Sequence, residues 1–251
     1  MSQPHILTLD DVSFDKSRGR INVYHGNYQH IIIPDNFDGI PVTEIWDYAF
    51  SEAEELSEEF EELPESPIAS IVIPNTVTKI GESAFRRNAL TQIDIPTSVT
   101  RIGYYAFAEN ALTHVDIPDS VTEIVEGAFA KNALTHVTLP NSLTEINERV
   151  FQDNSLTHLV LPNSVTMIGD RAFSNNAINK ISIPMSVTEV GEEAFASNAI
   201  SYVLLPTSIT YMGDDAFINN PLRGRPIKGF GKKKPPRELT DEEFLEAIGD
   251  L

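Results

Sequence analysis

The chain has no cysteine among its 251 residues. This absence excludes a disulfide framework, a thiolate metal site and a cysteine nucleophile. It also favours a reducing compartment, since disulfides are common in secreted domains and rare in the cytosol. The fold must therefore depend on packing of its apolar residues, which make up 41% of the chain.

Basic residues are scarce, with 18 Lys and Arg against 37 Asp and Glu, and the net charge is −19. Such an acidic body repels nucleic acids and anionic membranes, so neither is expected as a partner. No apolar run approaches the ~20 residues that a membrane span needs. The start, MSQPHILTLDDVSFD, lacks the basic and apolar regions of a signal peptide, and we expect a cytoplasmic protein.

Motifs of the common enzyme classes are missing as well. The sequence has no Gly-rich phosphate loop after a strand, no nucleophile elbow and no HExxH motif. Asp94, Asp116 and His114 could be drawn as an acid–base group, but nothing predicts a pocket that would exclude water around them. We therefore expect a protein that is not an enzyme and has no cofactor.

What the sequence does have is a repeat of 22 residues. Proline recurs from Pro74 to Pro206, phenylalanine from Phe85 to Phe217, and asparagine from Asn88 to Asn220. Seven periods in fixed phase indicate a repeat architecture. One unit cannot bury its apolar face alone, but stacked units bury it against one another, as in a solenoid.

A typical unit reads NALTQIDIPTSVTRIGYYAF. Its LTQIDI segment alternates apolar and polar residues, which predicts a half-buried strand with Ile93 and Ile95 inward. Proline ends this strand, SVTRIG forms a second short alternation, and Gly103 is expected to turn the backbone. The repeated asparagine, and a threonine that recurs from Thr78 to Thr210, are expected to form structural ladders.

The unit LTxVxIPxSVTxIGxxAFxxN resembles the BspA-like leucine-rich repeats, over about residues 13–222. The opening segment RINVYHGNYQHIIIPDNFDGIPVTEIWDYAF resembles the first module of that family. The resemblance implies a leucine-rich-repeat solenoid: a right-handed coil of about eight 22-residue repeats with stacked parallel β-strands, short second strands and few helical turns. It also implies protein or surface binding without shared catalytic residues. Val125 and Asn147 replace the glycine of the pattern, so their coils are expected to bend differently.

The repeats predict four regions. Residues 1–33 are expected to form an N-terminal β cap, and residues 34–222 the solenoid, with a glutamate-rich acidic insertion at 51–67. Residues 223–237 are basic and rich in proline and glycine, which predicts a linker. An intramolecular contact with the acidic body explains this linker better than nucleic acid, because stacking aromatics are missing. Residues 238–251 predict a short helix that either caps the last coil or docks on another protein.

The outward positions of the main strands form the candidate binding surface. Three histidines follow one another on consecutive coils, about 4.8 Å apart. A metal site, a pH-sensitive strip, a partner contact and passive decoration are all compatible with this row. We favour the partner contact, because stacked rings lie in a line whereas a metal needs converging ligands. The predicted partner-binding residues are Gln92, Asp94, His114, Asp116, His136, Thr138, His158, Lys180 and Tyr202.

The sequence thus predicts a non-enzymatic scaffold that mediates protein–protein interaction through the strand face of a solenoid. The expected partner is a protein, and the chain is expected to be a monomer or a weak dimer. Two alternatives remain open. The chain could be a cell-surface or secreted adhesin, as the resemblance implies, or a carrier whose C-terminal segment is the interaction peptide.

Overall fold

The computed structural model describes residues 3–51 and 67–223, together with Gly229 and Gly231. These residues form a β-solenoid of about nine stacked parallel turns, and no helix occurs among them. The acidic insertion and the C-terminal helix predicted from the sequence fall outside the described residues, apart from the ends of the insertion. Most of the predicted linker also falls outside them, and the predicted region boundaries stay a prediction.

The strands of the described residues are short, because each crosses only one side of a coil. In chain order they are β1 (His5–Ile6), β2 (Val12–Asp15), β3 (Arg20–Tyr24), β4 (His30–Ile32), β5 (Asn36–Phe37), β6 (Ile40–Pro41), β7 (Glu44–Ile45), β8 (Ser70–Val72), β9 (Lys79–Ile80), β10 (Arg101–Ile102), β11 (His114–Asp116), β12 (Glu123–Ile124), β13 (His136–Thr138), β14 (Glu145–Ile146), β15 (Met167–Ile168), β16 (Lys180–Ser182), β17 (Glu189–Val190), β18 (Tyr202–Leu204) and β19 (Tyr211–Met212).

The strand before each proline contributes to a first parallel ladder. This ladder consists of the sheets β1-β4-β8, β11-β13 and β16-β18. Residues 92–94 and 158–160 occupy the equivalent positions in their coils without forming regular strands. The predicted main strands are therefore confirmed in most of the coils.

The second alternation of each unit forms a second ladder. It consists of β3-β7-β9-β10-β12 and β14-β15-β17-β19, all parallel, with β2 added antiparallel to β3 at the N-terminal edge. Ile21 of β3 lies in register with Ile45 of β7, so the first rung comes from residues before the 22-residue repeat begins. This rung accounts for the difference between nine turns and the eight expected.

The core is a stack of phenylalanines that runs along the axis of the solenoid. The rings of consecutive coils are nearly parallel, with centroids 5.2–5.7 Å apart from Phe50 to Phe217. The rings from Phe85 to Phe195 are fully buried. Each ring therefore meets its own copy in the neighbouring coil, which is why the phenylalanine recurs with the period of the fold.

The repeated asparagine bonds one coil to the next, which confirms the predicted ladder. Asn132 Nδ2 donates to Phe107 O of the preceding coil (2.9 Å), and its Oδ1 accepts from the backbone N–H of Leu112 (3.0 Å). The threonine series behaves in the same way, since Thr100 Oγ1 donates to Thr78 O (3.2 Å). The asparagine side chains supply partners for backbone groups at the turns of the coil, whereas the threonine hydroxyls add a second bond to carbonyls that already accept from a backbone N–H, as Thr78 O does from Thr100 N (2.8 Å).

The repeated glycine begins a turn of the backbone, and left-handed residues lie beside each phenylalanine that follows it. Residues two before and two after the ring have positive φ, as in Tyr105 (50°) and Glu109 (58°) around Phe107. Gly103 has no positive φ, but a Cβ there would lie 2.6 Å from the carbonyl carbon of Gly81. Gly103 does begin the predicted turn, since its carbonyl accepts from the Ala106 N–H at 3.3 Å, but glycine is needed there because consecutive coils approach closely at this point.

The two coils without this glycine mark a break in the second ladder. Val125 and Asn147 occupy the glycine position, and the ladder separates there into its two sheets, between β12 and β14. The Asn147 side chain fills the gap, because its Nδ2 donates to Ile124 O at 2.7 Å. The Val125 coil keeps the usual bond, because its backbone N–H donates to Ile102 O at 2.9 Å, so the difference from the other turns lies at Asn147.

Candidate functional site: the strand face

The outward side chains of the first ladder form one continuous surface, which we call the strand face. Each strand of this ladder alternates buried and exposed residues, as in β11, where Val115 is buried between exposed His114 and Asp116. The exposed residues make two parallel rows along the solenoid, one through His114 and one through Asp116. Stacking in register fixes the spacing of both rows, so the scaffold presents them without conformational freedom of the backbone.

All nine residues predicted to bind a partner are exposed on this face. His114 is in register with His136, Asp116 with Thr138, and Lys180 with Tyr202. Thr138 Oγ1 donates to Asp116 Oδ1 at 2.5 Å, which fixes that carboxylate in place.

The three histidines form a row and do not converge on a point. Thr113 Oγ1 lies 3.2 Å from His114 Nδ1, and Thr157 Oγ1 lies 3.0 Å from His158 Nδ1, so these two rings bond to their own neighbours in sequence. Within the described ranges, no group of three or more histidine and acidic side chains is arranged to hold a metal ion. The row is therefore suited to contacts with a large partner surface.

Apolar residues at the two ends of the strand face were not among the predicted binding residues. In the row through Asp116, Ile6 and Val72 lie at the N-terminal end and are 59% and 56% exposed. Val160 (83%) and Leu204 (51%) lie at the C-terminal end of the same row. The strand alternation predicts their outward position, but the predicted binding residues were mainly those with charge or hydrogen-bonding capacity.

Charged groups beside the phenylalanine stack are paired between coils. Glu109 contacts Arg86 at 2.6 Å and Arg87 at 2.9 Å. Burial alone would raise the pKa of Glu109, but the hydrogen bonds from the two arginines outweigh it and hold this pKa below the ordinary value. These groups stabilise the stack of coils, and the strand face carries the exposed, less constrained chemistry.

A tyrosine at the last described turn has a similar structural role. Tyr211 is buried, and its hydroxyl donates to Glu192 Oε1 at 2.7 Å. Burial and this hydrogen bond to a carboxylate raise the pKa of Tyr211 to about 12. Both effects disfavour the phenolate, so Tyr211 stays a neutral hydrogen-bond donor across the ordinary pH range.

Comparison with protein families identifies the repeat. The model of the BspA type leucine rich repeat region matches residues 60–177 and 122–228 in six copies, which covers more than half of the chain. The chain belongs to this family. Leucine-rich-repeat proteins generally mediate protein–protein interactions and are typically not enzymes.

The chain is similar to solved structures of leucine-rich-repeat proteins. A leucine-rich repeat protein from Bacteroides ovatus has 20% identity and a TM-score of 0.52, and the match covers 86% of this chain and 73% of that one. A leucine rich cell surface protein from Faecalibacterium prausnitzii has 23% identity and a TM-score of 0.43, over 84% and 83%. The pneumococcal vaccine antigen PcpA has 21% identity and a TM-score of 0.45, over 78% and 48%. At these identities the likeness concerns the fold alone.

A search of curated proteins found no match to this BspA-type chain. Among the described residues, no helix has the length and apolar character needed to cross a membrane.

Proposed function

We propose that the chain is a non-enzymatic scaffold that binds a protein partner through the strand face. The observation that carries this proposal is the location of its exposed apolar side chains. Six large apolar residues of the described chain are more than half exposed, and five of them lie on the strand face: Ile6, Val72, Val160, Tyr202 and Leu204. Exposed apolar groups that collect on one face of a soluble domain are typical of an interaction surface.

The chemistry of the strand face varies from coil to coil, whereas the structural rows are uniform. The seven coils of the 22-residue repeat all keep their phenylalanine and asparagine, because those side chains contact their own copies or bond the adjacent coil. The row through Asp116 instead runs Val72, Asp94, Asp116, Thr138, Val160, Ser182 and Leu204. Packing does not require this variation, and it gives each position along the face a different contact to offer.

The roles of individual residues follow from their chemistry. Asp94 and Asp116 accept hydrogen bonds or pair with a basic partner, and the three histidines add donors and acceptors beside them. Tyr202 combines a large apolar ring with a hydroxyl, a combination that is common at energetically important interface positions. We expect the polar centre of the face and its apolar ends both to contact the partner, and both to be needed for capture.

The test is an affinity capture from lysate of the source cells with purified full-length chain. The triple variant His114→Ala, His136→Ala and His158→Ala is compared with a matched triple variant, Asn75→Ala, Asn163→Ala and Thr207→Ala. The control residues are exposed in the turns after the prolines, outside the ladders. We expect loss of a specific partner in the histidine variant alone, with unchanged thermal stability in both. Equal capture by all three proteins would show that the strand face is the wrong surface.

Two other functions give different results in the same experiment. If the C-terminal segment is the interaction peptide, truncation to residues 1–222 abolishes capture while the histidine variant retains it. If the protein is a cell-surface or secreted adhesin, as the family resemblance favours, it is found outside the source cell and captures surface ligands. Our proposal places the interaction in the cytoplasm, with a protein and neither nucleic acid nor membrane as partner, and the chain as a monomer or weak dimer.

A further inference from the structure

An apolar patch lies at the C-terminal end of the strand face and is formed by Val160, Met185, Tyr202 and Leu204, of which Met185 belongs to the adjoining turn after Pro184 and the other three to the face itself. These four side chains are 83%, 67%, 57% and 51% exposed. Lys180 lies in register with Tyr202 and is also exposed, so a positive charge sits within the patch. The patch spans three consecutive coils, and the distance along the axis from Val160 to Leu204 is about 10 Å.

The chain leaves the last coil beside this patch. The backbone N–H of Arg223 donates to the carbonyl of Ser201 at 3.2 Å, and Ser201 directly precedes Tyr202 of β18. Leu222 still packs against the core. Everything after Arg223 is therefore tethered at the edge of the patch, which gives it a high effective concentration there.

Gly229 and Gly231 show the direction in which the chain continues. A Cβ on Gly229 would clash with the backbone nitrogen of Asp214, and one on Gly231 would clash with the carbonyl oxygen of Thr210. From Gly229 to Gly231 the neighbouring residue changes from Asp214 back to Thr210. The two segments therefore run antiparallel, with Gly229 and Gly231 alongside β19. Gly231 therefore lies beside Thr210, six residues after Leu204 of the strand face.

The remaining chain is long enough to reach the patch. Six residues separate Thr210 from Leu204, a path of at most about 22 Å along the coil. Thirteen residues separate Gly231 from Phe244, and an extended chain of that length spans up to about 45 Å. The segment 238–251, ELTDEEFLEAIGDL, therefore has length to spare.

The chemistry of this segment complements the patch. Phe244, Leu245 and Ile248 recur at the spacing of one helix face. The segment carries six acidic residues and no basic one, so its charge is opposite to that of Lys180 in the patch. An apolar face with an acidic border matches an apolar patch that contains Lys180.

We propose that residues 238–251 bind the apolar patch at the C-terminal end of the strand face and so compete with an external partner. The segment acts as a tethered, reversible cover, and a partner must displace it. The proposal concerns the same face as the proposed function, but it is tested on the purified chain without any partner. Its failure would therefore leave the partner-binding proposal untouched.

Cysteine cross-linking provides the test, because the chain has no cysteine of its own. The variant Ser182→Cys, Ala247→Cys places one thiol in the patch, between Val160 and Leu204, and one in the segment. We expect an intramolecular disulfide under mild oxidation, formed at a rate that does not depend on protein concentration. Adding Phe244→Asp should slow its formation about tenfold or more, since a buried aromatic anchor is lost.

The matched control is Val72→Cys, Ala247→Cys, which places the thiol in the same exposed row five coils away, about 24 Å along the axis. Little disulfide is expected in this variant. Equal rates for the two cysteine pairs, or no effect of Phe244→Asp, would overturn the proposal. Concentration-dependent dimers would overturn it too, because the segment would then cover a second copy of the chain.

Discussion

The asparagine ladder makes the sharpest prediction about stability, and Asn198 is the best position to test it. Asn198 Oδ1 accepts from the backbone N–H of Ile178 (3.0 Å), and its Nδ2 donates to Phe173 O (2.9 Å). Asn198 is 9% exposed, so water has little access to these groups. The substitution Asn198→Ala leaves the Ile178 N–H without its side-chain acceptor.

The expected cost follows from which groups lose a partner. An unpaired buried backbone N–H costs about 1–3 kcal/mol, and a weakened carbonyl bond about 0.5–1.5 kcal/mol. Phe173 O keeps a second hydrogen bond from Asn176 Nδ2 at 3.2 Å, so losing the bond from Asn198 incurs only the smaller of these two costs. Asn198→Ala should therefore lower the free energy of unfolding by about 2–4 kcal/mol, a large share of the ~5–15 kcal/mol typical of a domain.

Urea unfolding followed by circular dichroism measures this cost, and hydrogen exchange at the Ile178 amide locates it. Asn179→Ala is the matched control, because this asparagine is exposed one residue after Ile178, and its change should stay within about 0.5 kcal/mol. A loss below about 1 kcal/mol in Asn198→Ala, with the Ile178 amide still protected, would show that the ladder does not bond the coils together.

Three further predictions follow from the core and its edges. Phe129→Ala, in the middle of the fully buried ring stack, should destabilise the fold by about 3–5 kcal/mol in the same urea experiment. Gly103→Ala should cost about 1–3 kcal/mol, because its Cβ meets the backbone of Gly81, and an unchanged urea midpoint would contradict the close approach of the coils. Because the folded pKa of Tyr211, about 12, lies above the ordinary value of 10.0, its contribution to stability is complete below pH 10 and is lost as the pH rises towards 12. In an absorbance titration, Tyr211→Phe should remove one tyrosine that ionises near pH 12. Loss of a tyrosine that ionises near pH 10 would contradict this assignment.

The fold was largely predictable because its periodicity is visible in the residues themselves. Strand alternation placed Val115 inward and His114 outward, and the 22-residue recurrence of Phe107 and Asn110 predicted stacked coils. The positions of positive φ were not predictable, because residues as different as Tyr105 and Glu109 occupy them. Their conformation is imposed by the bonds between neighbouring coils and not by a local preference for turns.

The candidate site was predictable as a surface but only partly as a set of residues. Period-two alternation determines which side chains are exposed, and it identified all nine of the proposed residues as outward. It does not say which of the outward residues carry binding energy, and Val160 was passed over although it is the most exposed large apolar residue of the described chain. The exposed fraction of a side chain depends on how much of it the neighbouring coils cover, and a sequence pattern does not report this.

The pairs of positive φ angles have a consequence for the assembly of the solenoid. Eight consecutive coils, around Phe50 and from Phe85 to Phe217, place a residue with a side chain at one or both of the left-handed positions beside the ring. Each such residue costs about 1–2 kcal/mol in isolation, so a single coil is intrinsically unfavourable. Only the contacts between coils compensate for this unfavourable free energy. In a linear array, unfavourable single units with strong coupling between neighbours make many coils fold and unfold together. Short fragments of two or three coils should therefore remain unfolded, and the full array should lose its structure in large blocks and not one coil at a time.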